Sequence, residues 1–266
     1  MNNIEILGYI LTLLIGVSLG LIGAGGSILT VPLLVYLFRL TPINATSYSL
    51  FIVGLTSLFG AYNYYLKGLI KIKSAIAFAI PAFISVLITR SLLMPLVPST
   101  ILDVGSFSIT KNFMIMIFFS VLMLFSAFKM ITDKSLDIED NQRKDGKKLF
   151  VSGLIVGFVT GTVGAGGGFL IIPALVIFLK IPMKSAVGTS LLIISLNSLT
   201  GFASDLLLGI QFNWIFLFSL SAIAIAGIYL GSFLSKFIKG AQLKPAFGWF
   251  VLIMSVFILA KEFKLI

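Results

Sequence analysis

The chain has no cysteine and no histidine, and these two absences exclude much chemistry. Without cysteine it forms neither a disulfide nor a thiolate metal site. Without histidine it lacks the commonest metal ligand, proton shuttle and general base, which excludes Ser-His hydrolases and HExxH zinc enzymes. No two aspartates have the spacing of an aspartyl protease. We therefore expect the chain to be neither an enzyme nor the carrier of a metal or other cofactor.

Charged residues are also scarce, at 11% of the 266 residues against 59% that are hydrophobic. A soluble domain has about a quarter of its residues charged. Apolar runs of about 20 residues, the length that crosses a bilayer core, recur throughout. The net charge of +10 does not indicate a nucleic-acid partner, because the basic residues lie mostly between the apolar runs. The composition predicts an all-α polytopic protein, multi-pass in the inner (cytoplasmic) membrane, with lipid around it.

Ten apolar segments follow one another along the chain. They cover roughly residues 4–24, 27–40, 43–66, 72–97, 111–132, 148–164, 168–180, 184–208, 213–236 and 245–263. Segments 27–40 and 168–180 are short for a crossing. Each is either a full span or half of a re-entrant hairpin, so the prediction is eight to ten transmembrane helices with glycine-broken or re-entrant segments. Between the segments, 98–110 is predicted to be a polar loop of turn-forming residues.

The tetrapeptide Gly-Ala-Gly-Gly occurs at 23–26 and again 141 positions later at 164–167. Around it, GLIGAGGSILTVPLL aligns without a gap on GTVGAGGGFLIIPAL, each with a proline six residues after its last glycine. This indicates an internal repeat. The predicted parts are an N-terminal transmembrane repeat (1–132), a hydrophilic cytoplasmic linker (133–147) and a C-terminal transmembrane repeat (148–266).

Loop charge predicts that the two repeats are inverted. Loop 67–73 carries three lysines, whereas its counterpart 208–214 carries no charge. Placing the basic loops in the cytoplasm makes segment 43–66 run inward and its copy run outward, as in transporters with inverted-topology repeats. The two glycine runs then lie in halves of the chain that run in opposite directions through the membrane.

The glycine runs are the first candidate site. Lipid cannot satisfy backbone groups that a broken helix exposes, so such a break faces protein, water or solute. The helix that follows would point free N–H groups at an anion. The P-loop and Rossmann patterns do not fit, and close helix packing is the alternative explanation. The predicted binding residues are Gly23, Ala24, Gly25, Gly26, Ser27, Gly164, Ala165, Gly166, Gly167 and Gly168.

Polar side chains within the spans are the second candidate. Ser49, Ser190, Thr56 and Asn197 lie on the third segment of each half and could hold an oxyanion, or could simply join helices by hydrogen bonds. Arg90, two turns inside a span, is either an anion-binding residue or an arginine that extends to the interface. Asp205 is either a proton-coupling carboxylate or a group that caps or pairs at the interface.

The duplicated glycine-proline blocks, the chain length and the basic linker resemble the TauE/SafE sulfite exporter (TSUP) family. The resemblance implies a secondary transporter for a small sulfur-containing anion, such as sulfite or a sulfonate, that works by alternating access. An anion channel and a carrier of small organic carboxylates stay as alternatives, and so does an assembly factor that moves no solute. The oligomeric state is not predicted.

Overall fold

In this computed structural model the chain is described over residues 3–23, 27–104, 107–132, 146–163, 171–172, 175, 181–235, 237 and 240–263. Ten helices account for most of these residues. They are α1 (Asn3–Ile22), α2 (Ser27–Tyr36), α3 (Pro42–Leu66), α4 (Ile72–Ile88), α5 (Met94–Leu96), α6 (Lys111–Thr132), α7 (Gly146–Val163), α8 (Met183–Leu207), α9 (Trp214–Leu234) and α10 (Gly240–Glu262). The predicted all-α polytopic membrane fold is confirmed.

Within the described ranges, five stretches are helical, long and apolar enough to cross a membrane. They are Glu5–Ile22, Pro42–Leu66, Ile72–Leu96, Lys184–Leu207 and Trp214–Leu234. By contrast, α2 has 10 residues, so it rises only about 15 Å against a hydrocarbon core of about 30 Å. The first short segment therefore favours a helix that ends partway through the membrane. Most of segment 168–180, and linker residues 133–145, lie outside the described residues.

Helix ends are set by local capping. Pro42 opens α3, and the Thr41 hydroxyl accepts a hydrogen bond from the Asn44 N–H at 3.4 Å. After α3 and α8 the chain turns at Gly68 (φ 67°) and Gly209 (φ 80°), the left-handed conformation that glycine adopts without a Cβ penalty. These two glycines are 141 positions apart, so equivalent helices in the two predicted repeats end in the same way.

Segment 98–110 is a β-hairpin, and its prediction as a polar loop was wrong. Strands β1 (Thr100–Val104) and β2 (Phe107–Thr110) pair antiparallel, with an irregularity between Thr100 and Leu102. The strands hold branched and aromatic residues, and two positions of the sequence separate them, which is the spacing of a tight hairpin. The hairpin joins α5 to α6 and is the only sheet among the described residues.

Helices α3 and α8 form the centre of the fold. In both, 72% of the span is buried, against 39–44% for the other three apolar spans. They pack antiparallel. A Cβ on Gly54 would lie 3.0 Å from Leu199 Cδ2, and one on Gly188, nearer the start of α8, would lie 2.8 Å from Tyr64 Cβ. Glycines thus let the two helices approach closely at both of these points.

The outer helices pack in pairs that join the two halves of the chain. Helix α1 lies along α9, and α7 lies along α4. Gly16 of α1 sits where a Cβ would overlap the Ala224 carbonyl oxygen, and Gly157 of α7 faces the Ala82 carbonyl in the same way. Gly16 and Gly157 are equivalent in the alignment, and the residues that they contact, Ala224 and Ala82, are within one position of equivalence, so the two contacts correspond closely between the halves. The packing supports the predicted repeat, while the direction of each half in the membrane stays a prediction.

Candidate functional site

Gly23, the first residue of the first glycine run, follows the end of α1 and lies against α8. Gly23 has φ 82°, and its N–H still donates to the Leu19 carbonyl at 2.7 Å. A Cβ here would come within 2.6 Å of Val187 Cγ1. The Ser190 hydroxyl donates to the Val187 carbonyl at 2.8 Å and reaches the Gly23 carbonyl at 3.4 Å. The structure therefore brings together Gly23 and Ser190, two predicted site residues from different halves.

Helix α2 begins at Ser27, directly after the first glycine run, as the sequence predicted. The side chain of Ser27 lies outside the described residues. The same holds for the rest of both runs, that is, Ala24, Gly25, Gly26, Gly164, Ala165, Gly166, Gly167 and Gly168. The binding role of these residues stays a prediction.

Polar side chains without partners line the contact between α3 and α8. We call five residues the central polar set: Ser49, Thr56, Ser57, Asn197 and Ser198. Their side-chain nitrogen or oxygen atoms are buried and make no hydrogen bond within the described part of the chain. Most buried polar groups in proteins are hydrogen-bonded, so each exception needs an explanation. A buried serine can also bond to the backbone of its own helix, as the neighbouring Ser195 does: its hydroxyl donates to the Leu192 carbonyl at 2.8 Å.

The set is concentrated halfway along the crossing. Gly54 packs against Leu199, and Gly60 packs against Leu191, so residues 56–57 lie level with about residues 195–197. Thr56 and Asn197, which are equivalent in the repeat, are therefore at the same depth. Ser49 is seven residues before Thr56, two turns along the same face. The predicted residues Thr56 and Asn197 thus form one neutral, donor-rich region, and Ser190 lies toward the glycine break.

Arg90 belongs to a second cluster, at the end of the crossing where α3 begins and α8 ends. Between α4 and α5 the helix widens into a π turn, Thr89–Leu93, in which the Met94 N–H bonds the Thr89 carbonyl. Pro95 follows, and a proline ring clashes with the carbonyl four residues earlier, which the wider turn relieves. Such π turns are frequent at functional sites.

The Arg90 side chain is only 2% exposed, so the interpretation that it extends to the interface was wrong. Its Nη1 donates to Asp205 Oδ2 at 2.9 Å and reaches Ser47 Oγ at 3.4 Å. The Ser47 hydroxyl also donates to Asp205 Oδ2, at 2.5 Å. Asp205 therefore pairs with Arg90, while its depth relative to the membrane interface stays a prediction. Ser91 and Ser204, the adjoining residues, share a hydrogen bond of 2.7 Å.

Sequence reasoning did not select Ser47, and it considered Asp205 only by itself, without Arg90 as its partner. The available signal was the single carboxylate and single arginine buried within spans, because two such charges stabilise one another only when they pair. A groove of about 480 Å³ also lies between α4 and α8. Its walls are largely apolar, with Phe83, Leu87, Leu196 and Leu199 among them, which is the wrong chemistry for an anion.

Comparison with known proteins agrees that the chain is a membrane protein. The sequence profile of the family described as sulfite exporter TauE/SafE matches residues 9–258. A probable membrane transporter protein of Xylella fastidiosa is 25% identical over 257 residues, which is 92% of this chain and 91% of that protein. The probable membrane transporter protein YunE of Bacillus subtilis is 30% identical over 244 residues, or 85% and 87% of the two chains.

A third relative, a probable membrane transporter protein of Methanocaldococcus jannaschii, is 27% identical over 198 residues, covering 73% of this chain and 69% of that protein. No solved structure matches the chain.

Proposed function

Because the chain belongs to the sulfite exporter TauE/SafE family of membrane transporters, we propose that it is an alternating-access carrier of a small sulfur-containing anion such as sulfite or a sulfonate. The observation that carries the proposal is the central polar set of α3 and α8. Buried hydroxyl and amide groups that the protein leaves without partners are available to a solute. The antiparallel crossing of the two helices puts them at the interface of the two halves, where inverted-repeat carriers bind their substrates.

The chemistry of the set suits an anion held without a full opposing charge. Thr56, Ser57 and Ser198 offer hydroxyl donors, and Asn197 offers an amide donor. Hydrogen bonds from neutral donors to an anion are stronger than those between neutral groups, particularly where water is excluded. A site of this kind binds an anion firmly enough for selection and lets it leave, which a carrier requires. The glycine runs would add backbone N–H groups at the two helix starts.

Flux measurements in proteoliposomes test the proposal. We expect saturable uptake of radiolabelled sulfite, together with counterflow when unlabelled sulfite is loaded inside. The variants Thr56→Val and Asn197→Leu should each reduce uptake by about tenfold or more, since each removes a hydrogen bond to a charged group. Ser195→Ala is the matched control: it lies on the same helix and is buried, but its hydroxyl is satisfied by Leu192.

Three results would contradict the proposal in different ways. Flux without saturation or counterflow would indicate a channel. If acetate inhibits the uptake as strongly as unlabelled sulfite does, the chain would be a carboxylate carrier. If no flux is found in any condition, the result would favour an assembly factor. Unchanged uptake in the double variant Gly25→Val with Gly166→Val would remove the glycine runs from the site while leaving the central set in place.

A further inference from the structure

Arg90 uses one edge of its guanidinium and leaves the other free. Within the described residues Nη1 alone has partners, Asp205 and Ser47. Nε and Nη2 are buried and have no hydrogen-bond partner within the described chain. A buried guanidinium with unpaired donors is costly, more so than a neutral group. The protein maintains this arrangement inside a membrane span, where ionisable groups are rare and functional.

The charges around Arg90 do not balance. Asp205 is the carboxylate of the cluster. Lys111 at the start of α6 donates to the Met94 carbonyl and lies close enough to Arg90 for their positive charges to interact. Two cations and one carboxylate leave a net charge of +1 in these described groups. An added monoanion would neutralise the cluster.

The free edge has the shape of an oxyanion site. Nε–H and one Nη2–H of a guanidinium point the same way and match two oxygens of a sulfonate, sulfite or carboxylate. A halide has one acceptor atom in place of two and therefore lacks this match to the two parallel donors. Asp205 and Ser47 hold the opposite edge, and the π turn sets the helix around it, so the free edge is fixed in direction before a ligand arrives.

We propose that the Nε–Nη2 edge of Arg90 is an oxyanion-binding subsite, separate from the central polar set, with Asp205 and Ser47 as positioning residues. It stands at the end of the α3–α8 crossing, so an anion on its way to or from the centre would meet it. The proposal rests on the proposed carrier function for its biological role, but binding at Arg90 can be measured without transport.

Binding of methanesulfonate to the purified full-length chain tests the subsite directly. Calorimetry of the wild type should show binding that an equal concentration of chloride, at matched ionic strength, does not displace. Arg90→Lys keeps the charge but loses the two-pronged edge, and should weaken binding by about tenfold to a hundredfold. Lys73→Gln removes one positive charge from an exposed position outside the cluster and should bind as the wild type does.

A second variant covers the case in which Arg90→Lys does not fold. The double variant Arg90→Gln with Asp205→Asn removes both buried charges and leaves two neutral amide side chains, one shorter than arginine and one the size of aspartate, so it should fold and show the same loss of methanesulfonate binding. Unchanged affinity in whichever variant folds, or displacement by equimolar chloride in the wild type, would overturn the subsite. If the wild type transports sulfite and Arg90→Lys binds methanesulfonate as tightly as the wild type does, the subsite fails and the carrier stands. If methanesulfonate binds but no flux is found, the subsite stands and the carrier function fails.

Discussion

At the scale of single residues, the Arg90–Asp205 pair shows how a membrane span accommodates charge. Both side chains are at most 3% exposed, so neither keeps its hydration. Their attraction and the bond from Ser47 offset that loss only while both partners are present. Each residue alone would be an uncompensated charge among apolar helices, and the two therefore behave as one unit.

This coupling predicts a non-additive double-mutant cycle. Asp205→Leu should reduce the free energy of unfolding by about 3–5 kcal/mol, because it leaves Arg90 buried without its carboxylate. Adding Arg90→Met should restore most of that stability, since an apolar pair of similar volume needs no desolvation. Thermal unfolding of the purified variants in one detergent measures the cycle. A double variant that loses the sum of the two single effects would show that the residues are independent.

The same pair marks a limit of sequence reasoning. Arg90 and Asp205 could each be singled out as charges within a span, but they are 115 positions apart. Whether they meet depends on the register between α4 and α8 and on the π turn, which changes the direction of every side chain after it. Neither the helix register nor the π turn can be predicted from local composition. Ser190 and Gly23, by contrast, were both selected from the repeat alone, and the structure places them in contact.

At the scale of helices, the predicted bounds agree closely with those observed. Segment 111–132 is helix α6 (Lys111–Thr132), and segment 43–66 is α3 (Pro42–Leu66). Such agreement arises because bilayer thickness sets the length of an apolar run and turn residues mark its ends. The hairpin of β1 and β2 was missed because strands of five and four residues carry a weak periodic signal next to long helices.

Close glycine contacts between helices predict a matched pair of destabilising substitutions. In Gly16→Ala the new methyl group meets the backbone of Ala224, and in Gly157→Ala it meets the backbone of Ala82. Backbone cannot move aside as a side chain can, so each should lower stability by about 1–3 kcal/mol. Leu14→Ala, at a position 54% exposed on the same helix as Gly16, is the control and should cost less. The unfolding temperatures of the three variants test this prediction. Equal values for Gly16→Ala and Leu14→Ala would contradict the close contact between Gly16 and Ala224.

At the scale of the whole molecule, contacts recur in pairs that an exchange of halves interchanges. The Ser91–Ser204 hydrogen bond of 2.7 Å has its counterpart 141 positions away in the Asn63–Ser232 hydrogen bond of 2.9 Å. A Cβ on Gly60 would lie 3.1 Å from Leu191 Cδ1, and one on its equivalent Gly201 would lie 2.9 Å from Leu50 Cδ1. We take these pairs as support for two structurally similar halves around the α3–α8 contact.

The two ends of the crossing nevertheless differ in chemistry. The position equivalent to Asp205 is Tyr64, whose hydroxyl donates to the Gly20 carbonyl at 3.2 Å. Lys67 and Asn63 contact Ser232 at that end. Among the described residues the buried ion pair therefore occurs at one end only, and under our proposal that end alone would carry the oxyanion subsite.

The antiparallel contact of α3 and α8 predicts that the loops after them lie on opposite sides of the membrane, as the loop charges also predict. Since the chain has no cysteine, single cysteines can report this without background. Ile72→Cys follows the α3 loop at a position 47% exposed, and Gln211→Cys is exposed in the α8 loop. In intact cells a membrane-impermeant maleimide should label Gln211→Cys, whereas Ile72→Cys should react only after permeabilisation. The cysteine-free parent is the control, and reaction of both positions from the same side would rule out inverted repeats.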